Sequence, residues 1–408
     1  MTARPTDEVP WRIQGAVYGI GLFSTSMFFM ASVIVPLYAP MLDPSPVLLG
    51  IAVGARHVLP LFLSIHAGAL MDRLGARRVM LVFAALGVAV PLLYPAVPWI
   101  WALIFFQMLS GLADSMGWLG AQIMIGQYMK GRTSYAGRLS FVIRFGHLAA
   151  PPMVGAAWDL FGPWGAFGCL ALWGFGTLVC SAMLPPLAPV HGAAASGRVK
   201  LRELLPNLSD YLIALKLLAA PAVVVVVALG AMMHVGNGVQ SSFYVVWLKD
   251  AGIPATAIGS LISVGAIGAA VFSLATARLM RYIPGFWVLL VSLWAGIVLI
   301  CITPLLGSYA AILIAMFVRS GTNGLAQPLV ITLVLQGAGP ANQGKAVGLR
   351  ATANRTASIL SPVLMGALAE MAGTEASFYI VGAFATVVMG GFAVYLWRRP
   401  DVARTGEH

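Results

Sequence analysis

Charge is what this chain has least of. Asp, Glu, Lys and Arg together make up 9% of its 408 residues, against about a quarter in a soluble globular domain. A fold surrounded by water is excluded. Acids are scarcer still, with 13 Asp and Glu against 24 Lys and Arg. Cysteine is nearly missing: Cys169, Cys180 and Cys301 all fall in apolar stretches. They have neither a disulfide framework nor a metal-ligand spacing, and read as small buried hydrophobes. No H-E-x-x-H and no G-x-x-x-x-G-K-[ST] occurs, which argues against a zinc hydrolase and against an ATP-driven pump. The residues imply neither an enzyme nor a bound cofactor or metal.

What is present is apolar length. Hydrophobic residues make up 60% of the chain, gathered in segments of about 20 residues, enough for a helix to cross about 30 Å of hydrocarbon. Lipid leaves unpaired backbone groups unsatisfied, so helices are expected. Runs such as Pro221–Leu229 lack the period-2 alternation of a barrel. Twelve spans are expected, at 14–40, 47–71, 79–96, 98–124, 138–158, 164–185, 220–247, 256–277, 285–304, 309–335, 346–371 and 375–397. The first lacks the small-residue cleavage site of a signal peptide and is too long for one. One long polar interval, 186–219, divides the spans six and six. The expected organisation is therefore 1–185 as one bundle, 186–219 as a linker with a short interfacial helix, and 220–408 as a second bundle.

The net charge of +11 follows topology rather than nucleic acid. With the N-terminus inside, 18 Lys and Arg fall in inner loops and tails, one (Lys249) in an outer loop and five in spans. That bias places both termini and the linker in the cytoplasm and the chain in a cell membrane, as a monomer within the bilayer.

The two halves share a skeleton. Arg144 is followed by Pro151, Gly155, Asp159, Gly162 and Phe167; Arg355 is followed at the same spacings by Pro362, Gly366, Glu370, Gly373 and Phe378. The offset of 211 residues is close to half the chain. Duplicated halves in an apolar chain are the usual construction of a secondary transporter.

Between spans two and three the sequence reads Gly68-Ala-Leu-Met-Asp72-Arg73-Leu-Gly75-Ala-Arg77-Arg78. Gly68 permits close helix approach, Gly75 a tight turn, and Asp72 suits a facing helix N-terminus; the arginines suit an anionic leaflet. The string resembles the G-x-L-x-D-R-x-G-x-R-R signature of the major facilitator superfamily. The resemblance implies two six-helix bundles, a central cavity, alternating access and a latching role for this loop. The matching place in the second half, Ala277-Arg-Leu-Met-Arg281, has no acid.

Gly137, Gly146, Ala150, Pro151 and Gly155 in span five resemble the family's antiporter motif, with Ala150 and Val154 in place of two glycines. This favours export. Gln107, standing where drug/proton antiporters of the family have arginine, departs from their pattern.

Ionisable groups inside a bilayer are candidates for function. Arg56, Arg144, Arg319, Arg350 and Arg355 qualify, opposed within a span chiefly by Asp114. The resemblance implies that span ten lines the cavity, so Arg319 is the first candidate for substrate, with Asn323 and Gln327 on its helix face. Asn237 and Gln240 of span seven, Gln107 and Arg56 complete the candidate lining. Asp114 is expected either to carry a coupling proton or to pair with an arginine such as Arg319. Arg144 and Arg355, with Pro151, Gly155, Pro362 and Gly366, are expected to gate the halves. The arginine excess predicts an anionic or partly anionic small molecule, since guanidinium grips carboxylate and phosphate through two parallel bonds. The sequence reading is thus a secondary transporter running proton-coupled efflux. Proton-coupled uptake of an organic anion is the alternative, and a sensor with a transporter fold the remote one.

Overall fold

A computed structural model of the chain describes residues 9–129, 132–186, 220–338 and 343–403. Regular structure among them is helical throughout. The first half contains α1 (Trp11–Tyr38), α2 (Pro46–Ala55), α3 (Val58–Leu74), α4 (Ala76–Ala96), α5 (Ile100–Met129) and α6 (Thr133–Met183). The second contains α7 (Pro221–Val239), α8 (Val245–Asp250), α9 (Ala255–Leu279), α10 (Gly285–Cys301), α11 (Tyr309–Ala338), α12 (Gln343–Ala372), α13 (Thr374–Arg398) and the short α14 (Pro400–Ala403). Among the described residues, eight helical stretches are long and apolar enough to cross a membrane. The protein is a multi-pass membrane protein. Each expected span falls on a helix or on one leg of α6. The expected interfacial helix of the linker lies outside the described residues.

Three departures from regular helix shape the molecule. Helix α6 joins the fifth and sixth spans across a sharp turn at Gly162, where φ is +64°. Gly373, its repeat partner, turns α12 into α13 with φ +87°. A left-handed backbone costs glycine little and other residues more, which is why both copies of the repeat keep glycine there. Span two breaks at Arg56 and His57. Pro60 lacks the N–H that would bond the Arg56 carbonyl four residues back, so the helix cannot run through. Span seven holds a π-helical turn over Gln240–Tyr244 between α7 and α8.

Packing repeats between the halves. Helices α1 and α6 pack as α7 and α12 do, α4 and α6 as α10 and α13, and α3 and α5 as α9 and α11. Across the halves, α6 crosses α9 and α2 crosses α12. Glycines bring these crossings to backbone contact. A Cβ on Gly155 would strike the Ala255 carbonyl, and one on Gly259 the Pro151 carbonyl. At the other crossing Gly366 meets the Pro46 carbonyl and Gly50 that of Pro362. Small residues allow such approach in lipid, where helix packing relies on van der Waals contact.

Candidate functional site

The break in span two aims Arg56 inward. The residue is 7% exposed, and its side chain forms an ion pair with Asp114 of α5. The sequence left Asp114 open between a proton site and an arginine partner; the partner it meets is Arg56, not Arg319. Gln107 of α5 accepts from Arg56 Nη1 at 3.4 Å and from Tyr94 OH at 3.0 Å. Tyr94 OH also lies 3.1 Å from Ser110 Oγ. Gln107, Ser110 and Asp114 follow i, i+3, i+7 spacing, so one face of α5 carries them all. Gly111 lies on that side, and a Cβ there would collide with the Arg56 carbonyl. On its open side the Arg56 guanidinium lies 5.2 Å from the centroid of the Phe28 ring, a cation–π contact. Small cavities flank the pair. One is lined by Phe28, Ser32, Arg56, His57, Gln107 and Ser241, another by Tyr94, Ser110 and Asp114 with Met27 and Pro91.

Arg319 of α11 is 2% exposed, and among the described residues no carboxylate touches it. Neutral acceptors hold it: Gln240 Oε1, the Gly236 carbonyl at 2.9 Å and Asn237 Oδ1 at 3.2 Å. Asn323 Nδ2 donates to the same Asn237 oxygen at 3.1 Å. The structure thus gathers Arg319, Asn323, Asn237 and Gln240 as the sequence expects, whereas Gln327 is exposed and outside the cluster. The Nε atoms of both Arg56 and Arg319 are buried without a hydrogen-bond partner. Buried orphan donors are uncommon and costly. Here each belongs to a guanidinium with binding capacity in reserve.

The π turn links the two arginines. Gln240 receives Arg319, and the next residue, Ser241, lines the Arg56 cavity. Such turns recur at functional sites. Sequence reasoning missed Ser241, Tyr94 and Ser110. The polar stripe on α5 could have found Ser110; Tyr94 comes from another helix and leaves no such signal.

The gating candidates fall elsewhere. Pro151, Gly155, Pro362 and Gly366 all lie at the crossings described above. Arg144 is exposed and Arg355 half-buried, and among the described residues neither makes a hydrogen bond, so their sequence symmetry does not extend to like surroundings. His234 Nδ1, in the packing of α7 on α12, lies 3.0 Å from Oγ of Ser358, three residues after Arg355. In the loop motif, Gly75 turns the chain between α3 and α4, Arg77 donates to the Ala182 carbonyl at 3.2 Å, and Arg78 is exposed. The side chains of Asp72 and Arg73 and the surroundings of Gly68 lie outside the described residues.

A profile of the Major Facilitator Superfamily matches residues 17–361 and 226–407. The fold superposes on the nucleoside transporter NupG with a TM-score of 0.75 at 16% identity, covering 94% of this chain and 98% of that one. A variant of the peptide transporter POT in complex with sulfate gives 0.73 at 17%, covering 98% and 97%. A POT family transporter in complex with 5-aminolevulinic acid gives 0.66 at 12%, covering 95% and 96%. At these identities the likeness is one of fold. No curated protein matches the chain by sequence.

Proposed function

This chain belongs to the major facilitator superfamily, and we propose that it carries a small organic solute with an acidic group across a cell membrane by alternating access. Twelve crossings in two bundles, 1–185 and 220–408, would rock about a site between Arg56 and Arg319, with both termini cytoplasmic. The observation that carries the substrate class is Arg319, fully buried and, among the described residues, held only by neutral acceptors. A buried guanidinium without a carboxylate favours an anion, because every acceptor it already has is a dipole rather than a charge.

The Arg56–Asp114 pair supports a coupling scheme. While Asp114 is ionised it occupies Arg56. A proton on Asp114 weakens that pair and frees Arg56 for an acidic group of the solute. Proton and anion then favour each other's binding, and by linkage the effect is reciprocal. That is co-transport, so the geometry favours uptake over the exchange that the span-five motif suggested. The motif's small residues have a use in either direction. Gly155 seats α9, and Gly146 lies 3.1 Å in Cβ reach from Leu22 of α1, as any rocking bundle needs.

The test is flux in proteoliposomes with an imposed pH gradient, using labelled mono- and dicarboxylates and a trapped pH dye. The expected result is accumulation of an acid driven by external acid, with protons moving alongside. Accumulation driven only by an acid lumen would restore the efflux reading. Transport restricted to neutral solutes would remove the anionic one.

A further inference from the structure

The two crossings between the halves match residue for residue in their apolar contacts but not in their polar ones. Helix α9 begins after Pro254, which offers no side-chain cap. Asp159 of α6 reaches across and supplies one. The Ala255 N–H donates to Asp159 Oδ1 at 3.0 Å, and the Thr256 N–H and Oγ1 donate to Oδ2 at 2.8 and 2.7 Å. A carboxylate on a helix's first free N–H groups meets both unsatisfied donors and the positive end of the dipole. Two turns deeper, Ser263 Oγ donates to the Leu148 carbonyl at 2.6 Å.

At the other crossing each of these contacts is missing by substitution. Pro46 stands where Ala255 does and has no N–H to give. Ser45 caps α2 from within, accepting from Leu48 N at 3.3 Å. Glu370, the repeat partner of Asp159, makes no hydrogen bond or ion pair among the described residues. Gly54 replaces Ser263, and a Cβ there would stand 2.7 Å from the Ile359 carbonyl. One crossing is therefore pinned by a charge on a helix end, and the other is backbone against glycine.

We infer that Asp159 and the first turn of α9 form a polar clasp that holds the outer gate shut, while the α2–α12 crossing is its unpinned, sliding side. This rests on the alternating-access reading above. Opening outward must break four hydrogen bonds at α6–α9 and, among the described residues, none at α2–α12. Asp159 thereby sets the balance between the two faces without touching the solute.

The experiment uses the full chain in nanodiscs, its three native cysteines replaced by alanine, with spin labels in two pairs. Leu160→Cys with Ala251→Cys reports the clasped side; Met41→Cys with Met371→Cys reports the other. In distance measurements by double electron–electron resonance, Asp159→Ala is expected to raise the gate-open population roughly fivefold, the effect of losing a good cap. Glu370→Ala should change nothing. If Asp159→Ala fails to fold, Thr256→Val with Ser263→Ala removes the two hydroxyl donors instead and should act in the same direction. Distributions unchanged by either variant overturn the clasp. Should no condition lengthen either distance even in the parent protein, alternating access itself fails, which is a separate result.

Discussion

Gly155 and Gly366 hold equivalent places 211 residues apart. Each rests on the backbone carbonyl of the first residue of a helix from the opposite half, Ala255 and Pro46. Nothing larger than hydrogen fits at either. The gate-side contact of the protein is thus backbone against backbone, twice over, and it is set by which residues lack a side chain.

Filling one of these positions should therefore separate the halves rather than unfold a helix. Gly366→Leu is expected to lower thermal stability in detergent by the equivalent of about 1–3 kcal/mol, the usual cost of overpacking a well-filled contact. It should also abolish flux. Gly168→Leu, on α6 with no neighbour within 4 Å, should leave both unchanged. Equal tolerance at the two sites would mean that the crossing gives way.

A second expectation concerns the buried pair. Asp114→Ala leaves the Arg56 charge unpartnered, and removing one member of a buried pair costs about 3–5 kcal/mol. The single variant should unfold well below the parent's melting temperature. Arg56→Met with Asp114→Leu should recover most of that loss, since an apolar pair of similar volume packs without desolvation cost. Asp114→Asn should fold and bind solute yet move no protons with it. Proton movement in that variant, read by a trapped pH dye, takes Asp114 out of the coupling scheme.

Much of this was legible in the sequence because it rests on local rules. Apolar runs gave the helices, and the 211-residue repeat gave matched turns at Gly162 and Gly373. Contacts between helices distant in the chain were less accessible. Asp114 was as well matched to Arg319 as to Arg56 by depth alone. The choice is made by Pro60, which breaks span two and turns Arg56 towards α5. Asp159 and Glu370 look alike in the repeat, yet Pro46 lacks the N–H that Ala255 gives Asp159, and Val47 lacks the hydroxyl that Thr256 gives it. The π turn at Gln240 has no periodicity signal, because it is one extra residue in an otherwise helical run.

Orientation is checked most simply at the C-terminus. The expected split of eighteen Lys and Arg on one side against one on the other predicts, by the positive-inside rule, that His408 lies inside. A fluorescent reporter that matures only in the cytoplasm, fused after His408, should be bright. A fusion there to an alkaline phosphatase that works only outside should be inactive. Activity of the phosphatase fusion would reverse the assignment of faces and put the Asp159 clasp on the cytoplasmic side.

The site itself turns on Arg319. Its guanidinium is spread across Gln240, the Gly236 carbonyl and Asn237, so the planar fork is held rigid with Nε unspent. An ammonium is a point charge and cannot span those acceptors while also facing a carboxylate. Arg319→Ala is expected to weaken binding of the acidic solute by roughly a hundredfold or more, since truncating one side of a buried charged contact costs about 2–5 kcal/mol. Arg319→Lys should restore little of it. Asn237→Ala tests whether this is recognition or mere support. It removes one acceptor, which is shared with Asn323, and leaves the charge in place. Affinity should then fall modestly while the protein stays folded. Calorimetric titration of the three variants with the transported acid separates the cases, and parental affinity in folded Arg319→Ala protein would remove Arg319 from the site.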